Sequence, residues 1–295
     1  MIGLGLLVIY VVWGSVYVAI RFVVADVPAL LSIGVRYLAA GLLLGLFVAG
    51  QRGVAALRAD RRALLGCLLL AMLLQVLTNG TVTWAESIGV QAGPAALLTA
   101  LAPVAIVGLR LGTGDRPRPV TWVGVVTGFA GLAVLLLGGR SVPGFPAVPS
   151  LLVAASAGLW AVGSFLQPRL LLPKEALVTT AYQLFAGGLV LTMSGVAGGE
   201  RWSFDLPVST WLVLGYLTLS SIVSYSTYVW LLERAPISLV STHAYVNPVV
   251  AVLLGWVWLG EPITWPVVVG GAVVLLAVGL VMAERRPAPD EPSFR

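Results

Sequence analysis

Aromatic, hydroxyl and amide side chains recur inside the long apolar stretches of this chain, where a polar group is costly to bury. One such set shares a helical face, since its members are three, four and three residues apart: Thr218, Ser221, Tyr225 and Tyr228. Side chains of these kinds bind neutral or zwitterionic molecules, because an aromatic face holds an apolar group and attracts an ammonium ion. The pattern indicates an internal binding surface.

The candidate binding residues are drawn from several apolar stretches and each carries an aromatic ring, a hydroxyl or an amide. They are Trp13, Tyr17, Gln75, Asn79, Trp160, Ser164, Tyr182, Ser221, Tyr225 and Tyr245. Each has a structural alternative, because a serine or threonine in an apolar helix commonly bonds to a backbone carbonyl or to a neighbouring helix. We expect them to line one cavity if the fold brings their helices together.

Three titratable side chains fall within or beside the apolar stretches. Arg36 lies too deep in its stretch to be an ordinary loop charge, and a buried charge needs a partner, for which Glu86 and Asp26 are the candidates. Arg36 and Glu86 then form either a carboxylate anchor for a bound molecule or a structural ion pair. His243, the one histidine, is suited to a proton relay near neutral pH, or else is a satisfied histidine at a helix end.

Catalytic chemistry has weaker support in the sequence. The phosphate-binding pattern GxxxxGK[ST] does not occur, which argues against ATP hydrolysis. Ser15 and Ser164 each follow a glycine or lie beside one, and His243 is available as a base, so an intramembrane hydrolase is an alternative. Neither serine lies in a GxSxG pattern, and we expect no enzyme activity, no metal and no cofactor.

The composition places these residues in a membrane protein. Hydrophobic residues make up 59% of the 295 residues and charged residues 10%, with a mean hydropathy of +1.01, whereas soluble domains carry about 25% charged residues. This excludes nucleic acid as a partner in spite of the pI near 9.7. A bilayer span needs about 20 apolar residues, so the chain has room for roughly ten helices. The predicted spans are 3–24, 29–50, 63–84, 91–111, 120–138, 150–170, 177–197, 210–232, 239–259 and 266–283.

The chain also repeats itself. Pro103 and Pro117 enclose an apolar run, as Pro248 and Pro262 do later at the same spacing. At nearly the same offset, the segment 36–41 matches 183–188, and Trp13 falls near Trp160. We predict two repeats, residues 1–140 with helices 1 to 5 and residues 141–284 with helices 6 to 10.

Five spans per repeat is an odd number, so the second repeat enters the bilayer inverted relative to the first. Secondary transporters use inverted repeats to expose a midplane site to each side in turn. The predicted fold class is therefore all-α integral membrane, with ten transmembrane helices in two inverted five-helix repeats around a central cavity.

Loop charges predict the orientation. With a cytoplasmic amino terminus, most arginines fall in cytoplasmic loops, and the outer loops keep chiefly Arg140 and Arg201. We therefore expect a multi-pass protein of the bacterial cytoplasmic (inner) membrane with both termini in the cytoplasm. Residues 285–295 are charged and proline-rich and are predicted to be a disordered cytoplasmic tail.

The residues also carry a family resemblance that covers about residues 3 to 284. Trp13-Gly14-Ser15, the segment from Arg36 to Gly41, the tandem five-helix units, and the span from Asn247-Pro248 to Gly260-Glu261-Pro262 resemble the EamA family of the drug/metabolite transporter superfamily. The chain is further similar to amino-acid and metabolite exporters of the YddG type. It departs from the pattern at Gly114-Asp115-Arg116-Pro117, where the second repeat has Gly-Glu-Pro, and in the low charge of its core.

The resemblance implies a ten-helix fold, a central cavity and export from the cytoplasm. Together with the polar aromatic lining, it predicts a secondary transporter that moves neutral amino acids, including aromatic ones, and similar small metabolites or drug-like compounds by alternating access. The expected partners are a neutral or zwitterionic small molecule and the lipid bilayer, with a monomer as the expected unit. A flippase of the same fold, for a lipid or another metabolite, is an alternative alongside the hydrolase.

Overall fold

The computed structural model describes residues 1–112, 119–138, 146–235, 240 and 242–282. These residues form α-helices, short 3-10 turns and one π-helical stretch, and none of them forms a strand. The helices are α1 Ile2–Val23, α2 Ala29–Arg52, α3 Arg61–Leu70, α4 Thr81–Ser87, α5 Ala92–Thr99, α6 Ala102–Gly112, α7 Pro119–Gly138, α8 Ala147–Leu166, α9 Ala176–Ala197, α10 Val208–Arg234, α11 His243–Leu259 and α12 Trp265–Met282. The predicted tail and the loop arginine Arg140 lie outside the described residues.

In the part of the chain that the structure describes, these helices form ten spans. This is the number that the sequence predicts. The third span joins α3, the π-helix Ala71–Gly80 and α4 into one rod, and the fourth consists of α5 and α6 separated by a break at Ala100 and Leu101. By length and composition, 6 helices are apolar and long enough to cross a membrane, and four shorter apolar helices complete the set. Leucine, valine and phenylalanine side chains are exposed along their outer faces, as in a protein surrounded by lipid.

Local sequence explains where several helices begin and end. Asp60 precedes α3, and its Oδ1 accepts a hydrogen bond of 2.6 Å from Ala63 N, which satisfies one of the free amides of the first turn. Gly53 ends α2 with φ 79° and Gly260 ends α11 with φ 64°, a left-handed conformation that glycine adopts without steric cost. These turns set the lengths of the spans that surround the cavity.

The helix packing has a twofold pattern. The first helix, α1, packs against α10 and α11, which are the third and fourth spans of the later five. In the same way α8, the sixth span, packs against the π-helix, α5 and α6, which belong to the third and fourth spans of the earlier five. The second and seventh spans, α2 and α9, pack together, as do the fifth and tenth, α7 and α12.

Glycines let the α2 and α9 backbones approach closely. A β-carbon placed on Gly34 would lie 2.6 Å from Thr192 N, and one on Gly41 would lie 2.5 Å from Phe185 N. From the other helix, Gly188 meets Leu38 N in the same way. Small residues at helix crossings are a main source of helix association in membranes. The α2–α9 pair is thus a tightly fitted part of the bundle.

Candidate functional site

A cavity lies between the two groups of five spans. Its empty space is about 1000 Å³, counting the part open to solvent. The lining residues come from seven spans: Trp13, Val16, Tyr17, Ile20, Arg36, Tyr37, Thr78, Asn79, Val82, Ala96, Thr99, Ala100, Ala102, Ile106, Trp160, Ser164, Ser220, Ser221, Tyr225, Tyr228, His243, Ala244, Asn247 and Pro248. Within this described lining the charged side chain is Arg36, and Asp and Glu are absent.

Trp13 stands at the centre of an aromatic cluster in this lining. Its ring centroid is 5.5 Å from that of Trp160 and 5.6 Å from that of Tyr225, both edge to face. The ring of Tyr228 is 5.0 Å away and that of His243 5.2 Å away. Because tilted and edge-on ring pairs are favourable, the cluster supports itself while it presents ring faces to the cavity.

The π-helix brings two polar residues of the third span to the cavity. Asn79 Nδ2 donates to Leu74 O at 2.5 Å and to Tyr225 Oη at 2.8 Å. Tyr225 Oη in turn lies 3.2 Å from Tyr37 Oη. Thr78 Oγ1 donates to Leu73 O at 2.7 Å, five residues back, as π-helical spacing requires. The wider turn therefore fixes an amide and two tyrosines as one network across three helices.

Arg36 extends this network into the cavity lining. Its guanidinium carbon lies 5.0 Å from the Tyr37 ring centroid, and the residue is 3% exposed. Nε and Nη1 have no hydrogen-bond partner among the residues that the structure describes. A buried cation with free donors is costly, so these two nitrogen atoms are unsatisfied in the structure as described.

Glu86 does not form an ion pair with Arg36 in the described chain. It is fully buried, at 0% exposure, and both carboxylate oxygens are without a hydrogen-bond partner in the described chain. Arg21 Nη1 donates at 2.8 Å to the backbone carbonyl of Glu86. The other predicted partner, Asp26, accepts from Thr210 Oγ1 at 2.5 Å. Within the described ranges, no ion pair joins Arg36 to either carboxylate, and its role as a carboxylate anchor stays a prediction.

Hydroxyl pairs line other parts of the cavity. Tyr17 Oη lies 2.7 Å from Thr99 Oγ1, and Ser164 Oγ lies 2.9 Å from Tyr228 Oη. Ser221 Oγ donates to Leu217 O at 2.8 Å within its own helix, which is the structural alternative anticipated for such residues. Each of the two hydroxyl pairs joins two helices of the same group of five spans.

His243 lies at the start of α11 and closes one end of the cavity. Its Nδ1 is 2.9 Å from Val240 O. With its amide nitrogen directed at Tyr10 O and His243 O, Asn247 donates to each at 3.2 Å. Tyr10 and Thr242 also bond through their hydroxyls. The histidine is held by the backbone, as a helix-end histidine would be, while its ring still faces the aromatic cluster.

Two predicted binding residues lie elsewhere. Gln75 is fully buried, and its side chain packs on α9, where a β-carbon on Gly187 would lie 2.7 Å from Gln75 Cβ. Tyr182, near the start of α9, directs its hydroxyl to Leu57 O. The side chain of another predicted binding residue, Tyr245, lies outside the described residues. Helical spacing alone placed Gln75 beside Asn79, but in the structure Asn79 lines the cavity whereas Gln75 packs on α9.

Several cavity residues were not among the predicted binding residues. They are chiefly Tyr37, Thr99, Tyr228 and Asn247. Tyr228 belongs to the polar stripe of α10, and that periodicity is the signal that points to it. Tyr37 and Thr99 belong to no comparable polar stripe in the sequence, so periodicity does not point to them.

Metal chemistry has no support in the described residues, which contain no group of 3 or more His, Cys, Asp or Glu side chains placed to hold an ion. Neither Ser15 nor Ser164 contacts His243 in the described hydrogen bonds: Ser15 Oγ donates to Val12 O at 2.8 Å and meets Tyr216 Oη. The described cavity lining thus combines aromatic rings, hydroxyl groups and the cation of Arg36.

Comparison with known proteins decides the family. The model of the EamA-like transporter family matches residues 1–137 and again residues 148–283. The chain belongs to this family. The EamA-like transporter assignment agrees with the all-helical ten-span fold and with the resemblance seen in the sequence.

Relatives of this EamA-like chain include transporters from two bacteria. The Escherichia coli (strain K12) protein described as "uncharacterized inner membrane transporter YedA" is 35% identical over 293 residues, which cover 98% of this chain and 92% of that protein. A protein of Streptantibioticus cattleyicolor, described as "probable terminal-alkyne amino-acid exporter", is 28% identical over 210 residues, 70% of this chain and 68% of the other. A crystal structure with a TM-score of 0.67 and 22% identity covers 94% of both chains and has the same fold.

Proposed function

We propose that this membrane transporter exports neutral amino acids, aromatic or otherwise apolar in side chain, together with similar small amphipathic metabolites or drug-like compounds. Substrate crosses by alternating access, with residues 1–140 and 141–284 moving against each other around the cavity. The observation that carries the proposal is Arg36, a buried cation with unpartnered nitrogen atoms in a cavity otherwise lined by aromatic rings and hydroxyls.

The charge balance of the lining supports a zwitterion. Arg36 binds the carboxylate of the substrate through charge-assisted hydrogen bonds. The ring faces of Trp13, Trp160, Tyr225 and Tyr228 attract an ammonium group and hold an apolar side chain. A substrate with several negative charges would need more than one cation, and Arg36 is the one charged residue of the described lining.

Relatives support the substrate class and the location. The Streptantibioticus cattleyicolor relative is described as an amino-acid exporter, and the Escherichia coli relative as an inner membrane transporter. We place the chain in the bacterial cytoplasmic (inner) membrane with both termini in the cytoplasm, because most loop arginines then lie on the cytoplasmic side.

Counterflow in proteoliposomes tests the substrate class. Vesicles loaded with one unlabelled amino acid at millimolar concentration are diluted into the same labelled amino acid, over a panel of aromatic, branched, small and charged amino acids. Transient accumulation of the aromatic or branched ones, absent from vesicles without the protein and reduced in vesicles with Arg36→Gln protein, is the expected result. No accumulation with any amino acid would contradict the proposal.

A second candidate, a lipid flippase, is favoured by one observation. An apolar groove opens between α6, α7 and α8, lined among others by Gly108, Trp122, Phe129, Leu151 and Gly158. The groove lies close to the cavity, since α6 contributes Ala102 and Ile106 to the cavity lining and Gly108 to the groove. Movement of a fluorescent phospholipid between leaflets, without competition from amino acids, would favour this candidate over amino-acid export.

A further inference from the structure

Two glutamates join the two groups of five spans through helix amino termini. Glu200, after α9, accepts hydrogen bonds from Leu30 N at 3.1 Å and Leu31 N at 2.8 Å, at the start of α2. Glu261, after α11, accepts from Ala92 N at 2.9 Å and Gly93 N at 3.4 Å, at the start of α5. The backbone amides at a helix start are otherwise unpaired and carry partial positive charge, so a carboxylate there is favourable.

Both contacts lie on the same membrane face, opposite the amino terminus of the chain. Glu200 and Glu261 follow odd-numbered spans, the seventh and the ninth, which end on that face. The helices they contact begin the second and fourth spans, which start there. We call this the distal face. On the other face, the described contacts between the halves include the hydrogen bond from Tyr182 Oη to Leu57 O and the Arg52–Glu175 ion pair. The side chains of that ion pair are 52% and 39% exposed, so they are weakly coupled.

The two carboxylates differ in what they hold together. Glu200 belongs to the glycine-fitted α2–α9 pair, and α9 contributes no residue to the described cavity lining. Glu261 instead connects two helices that both line the cavity, α5 through Ala96 and Thr99 and α11 through Asn247 and Pro248. Separation of α5 from α11 would therefore open the cavity, whereas separation of α2 from α9 would disrupt a tightly packed pair.

The helices held by Glu261 are each interrupted beside the cavity. The fourth span breaks at Ala100 and Leu101, so α5 is a short distal segment distinct from α6. In α11, Pro248 lies inside the helix, where it lacks an amide donor and clashes with the carbonyl four residues earlier. Such positions allow a helix to bend. The distal segments beyond these two points can tilt while the rest of each span stays in place.

We propose that Glu261 is the latch of the distal gate, and that Glu200 is a permanent brace with the same local chemistry. Glu261 holds the distal segments of α5 and α11 together while the cavity is closed to that face, and releases the amides of Ala92 and Gly93 when the gate opens. This inference rests on the alternating access proposed above, and it does not depend on which substrate is carried.

Thiol labelling measures the gate directly. Ala96, which lines the cavity at 1% exposure, is replaced by cysteine in a Cys67→Ala background, and a membrane-impermeant maleimide is added to sealed vesicles of either orientation. Glu261→Gln should raise the labelling rate from the distal face by about tenfold, because loss of one hydrogen bond to a charged group changes a two-state equilibrium by roughly that factor. Glu200→Gln should leave the rate within about twofold of the parent.

A second matched pair of variants displaces each glutamate carboxylate from its helix start while the glutamate itself is kept. A β-carbon on Gly255 would lie 2.6 Å from Glu261 Oε2, and one on Gly195 would lie 2.9 Å from Glu200 Oε2. Gly255→Ala should therefore reproduce the faster labelling, and Gly195→Ala should not. The proposal would be overturned if neither Glu261→Gln nor Gly255→Ala changed the labelling rate. It would also be overturned if Glu200→Gln and Gly195→Ala raised that rate equally.

The same vesicles separate this proposal from the substrate assignment. Faster distal labelling in Glu261→Gln protein together with no amino-acid counterflow would retain the latch and reject the substrate class. Normal counterflow with unchanged labelling in Glu261→Gln and Gly255→Ala protein would reject the latch and retain the substrate class. Thermal melting in detergent verifies that each variant is folded.

Discussion

At the residue scale, Arg36 is the charged side chain of the described cavity lining. The sequence predicts that it is buried and needs a partner, and it names Glu86 as the first candidate. The structure buries both residues and leaves them unpaired. Sequence spacing within one helix cannot specify which atoms of two different helices meet, since a rotation of either helix changes the contact. The partner was therefore the part of this prediction that the residues alone could not decide.

Replacing Arg36 by glutamine should weaken carboxylate binding selectively. A hydrogen bond to a charged group contributes about 1.5–3 kcal/mol, so the KM for an amino acid in counterflow should rise roughly tenfold to a hundredfold. The amide derivative of the same amino acid, which lacks the carboxylate, should bind equally well to both proteins. Arg52→Gln is the matched control, because Arg52 is solvent-exposed. An equal loss for the acid and the amide would contradict the anchor role.

Trp13 should determine how well the cavity holds an apolar side chain. Trp13→Ala removes the ring that contacts four other rings, each worth about 0.5–1.5 kcal/mol beyond the buried area. We expect the KM for an aromatic amino acid to rise about tenfold or more, and Trp13→Phe to recover most of the loss. Trp84→Ala, at a side chain 38% exposed on the outer surface, should change the KM little. If Trp84→Ala were as harmful as Trp13→Ala, the effect would be one of general stability.

At the scale of helices, two glycines of α2 differ in whether close packing requires them. Gly41 and Gly45 both lie in α2, and a β-carbon would meet Phe185 N at 2.5 Å from Gly41 but nothing within 4 Å from Gly45. Gly41→Ala should lower the melting temperature in detergent, by several degrees for about 2 kcal/mol of overpacking. Gly45→Ala should keep or raise it, since alanine favours a helix by up to about 1 kcal/mol. Equal effects would show that the α2–α9 contact is looser than the structure has it.

The helix boundaries could be predicted from the length of the apolar stretches and from turn residues, whereas the irregularities inside the helices could not. All ten predicted spans correspond to helices among the described residues. The break at Ala100 was not predicted, because alanine and leucine on both sides favour a continuous helix. The π-helix was not predicted either, since the apolar pattern of Ala71–Gly80 does not distinguish a π turn from an α turn. These two departures position much of the cavity lining.

At the scale of the whole molecule, the twofold packing pattern agrees with the inverted repeat that the prolines and tryptophans predict. Trp13 and Trp160, matched along the sequence, meet in the cavity at 5.5 Å. The two halves are not equivalent in chemistry, however. The distal face has two carboxylates on helix amino termini, and the first repeat has Asp115 in place of the later Gly-Glu-Pro motif, at a position outside the described residues.

The orientation of the whole bundle is a prediction that labelling can test. Ala55→Cys and Ser203→Cys, both at exposed loop positions in a Cys67→Ala background, lie after the second and seventh spans. With cytoplasmic termini, an impermeant maleimide should label position 203 in intact cells and position 55 only after the membrane is permeabilised. Labelling of position 55 in intact cells would reverse the orientation. The reaction of either position in denatured protein serves as the control for reagent access.

The π-helical stretch of the third span has an evolutionary consequence. A π turn is an α-helix with one extra residue, so loss of a single codon within Ala71–Gly80 would restore regular helical geometry without disturbing the lipid-facing leucines before it. The amide of Asn79 and the hydroxyl of Thr78 would then rotate away from the tyrosines. One small deletion would thus change the polarity of the cavity wall.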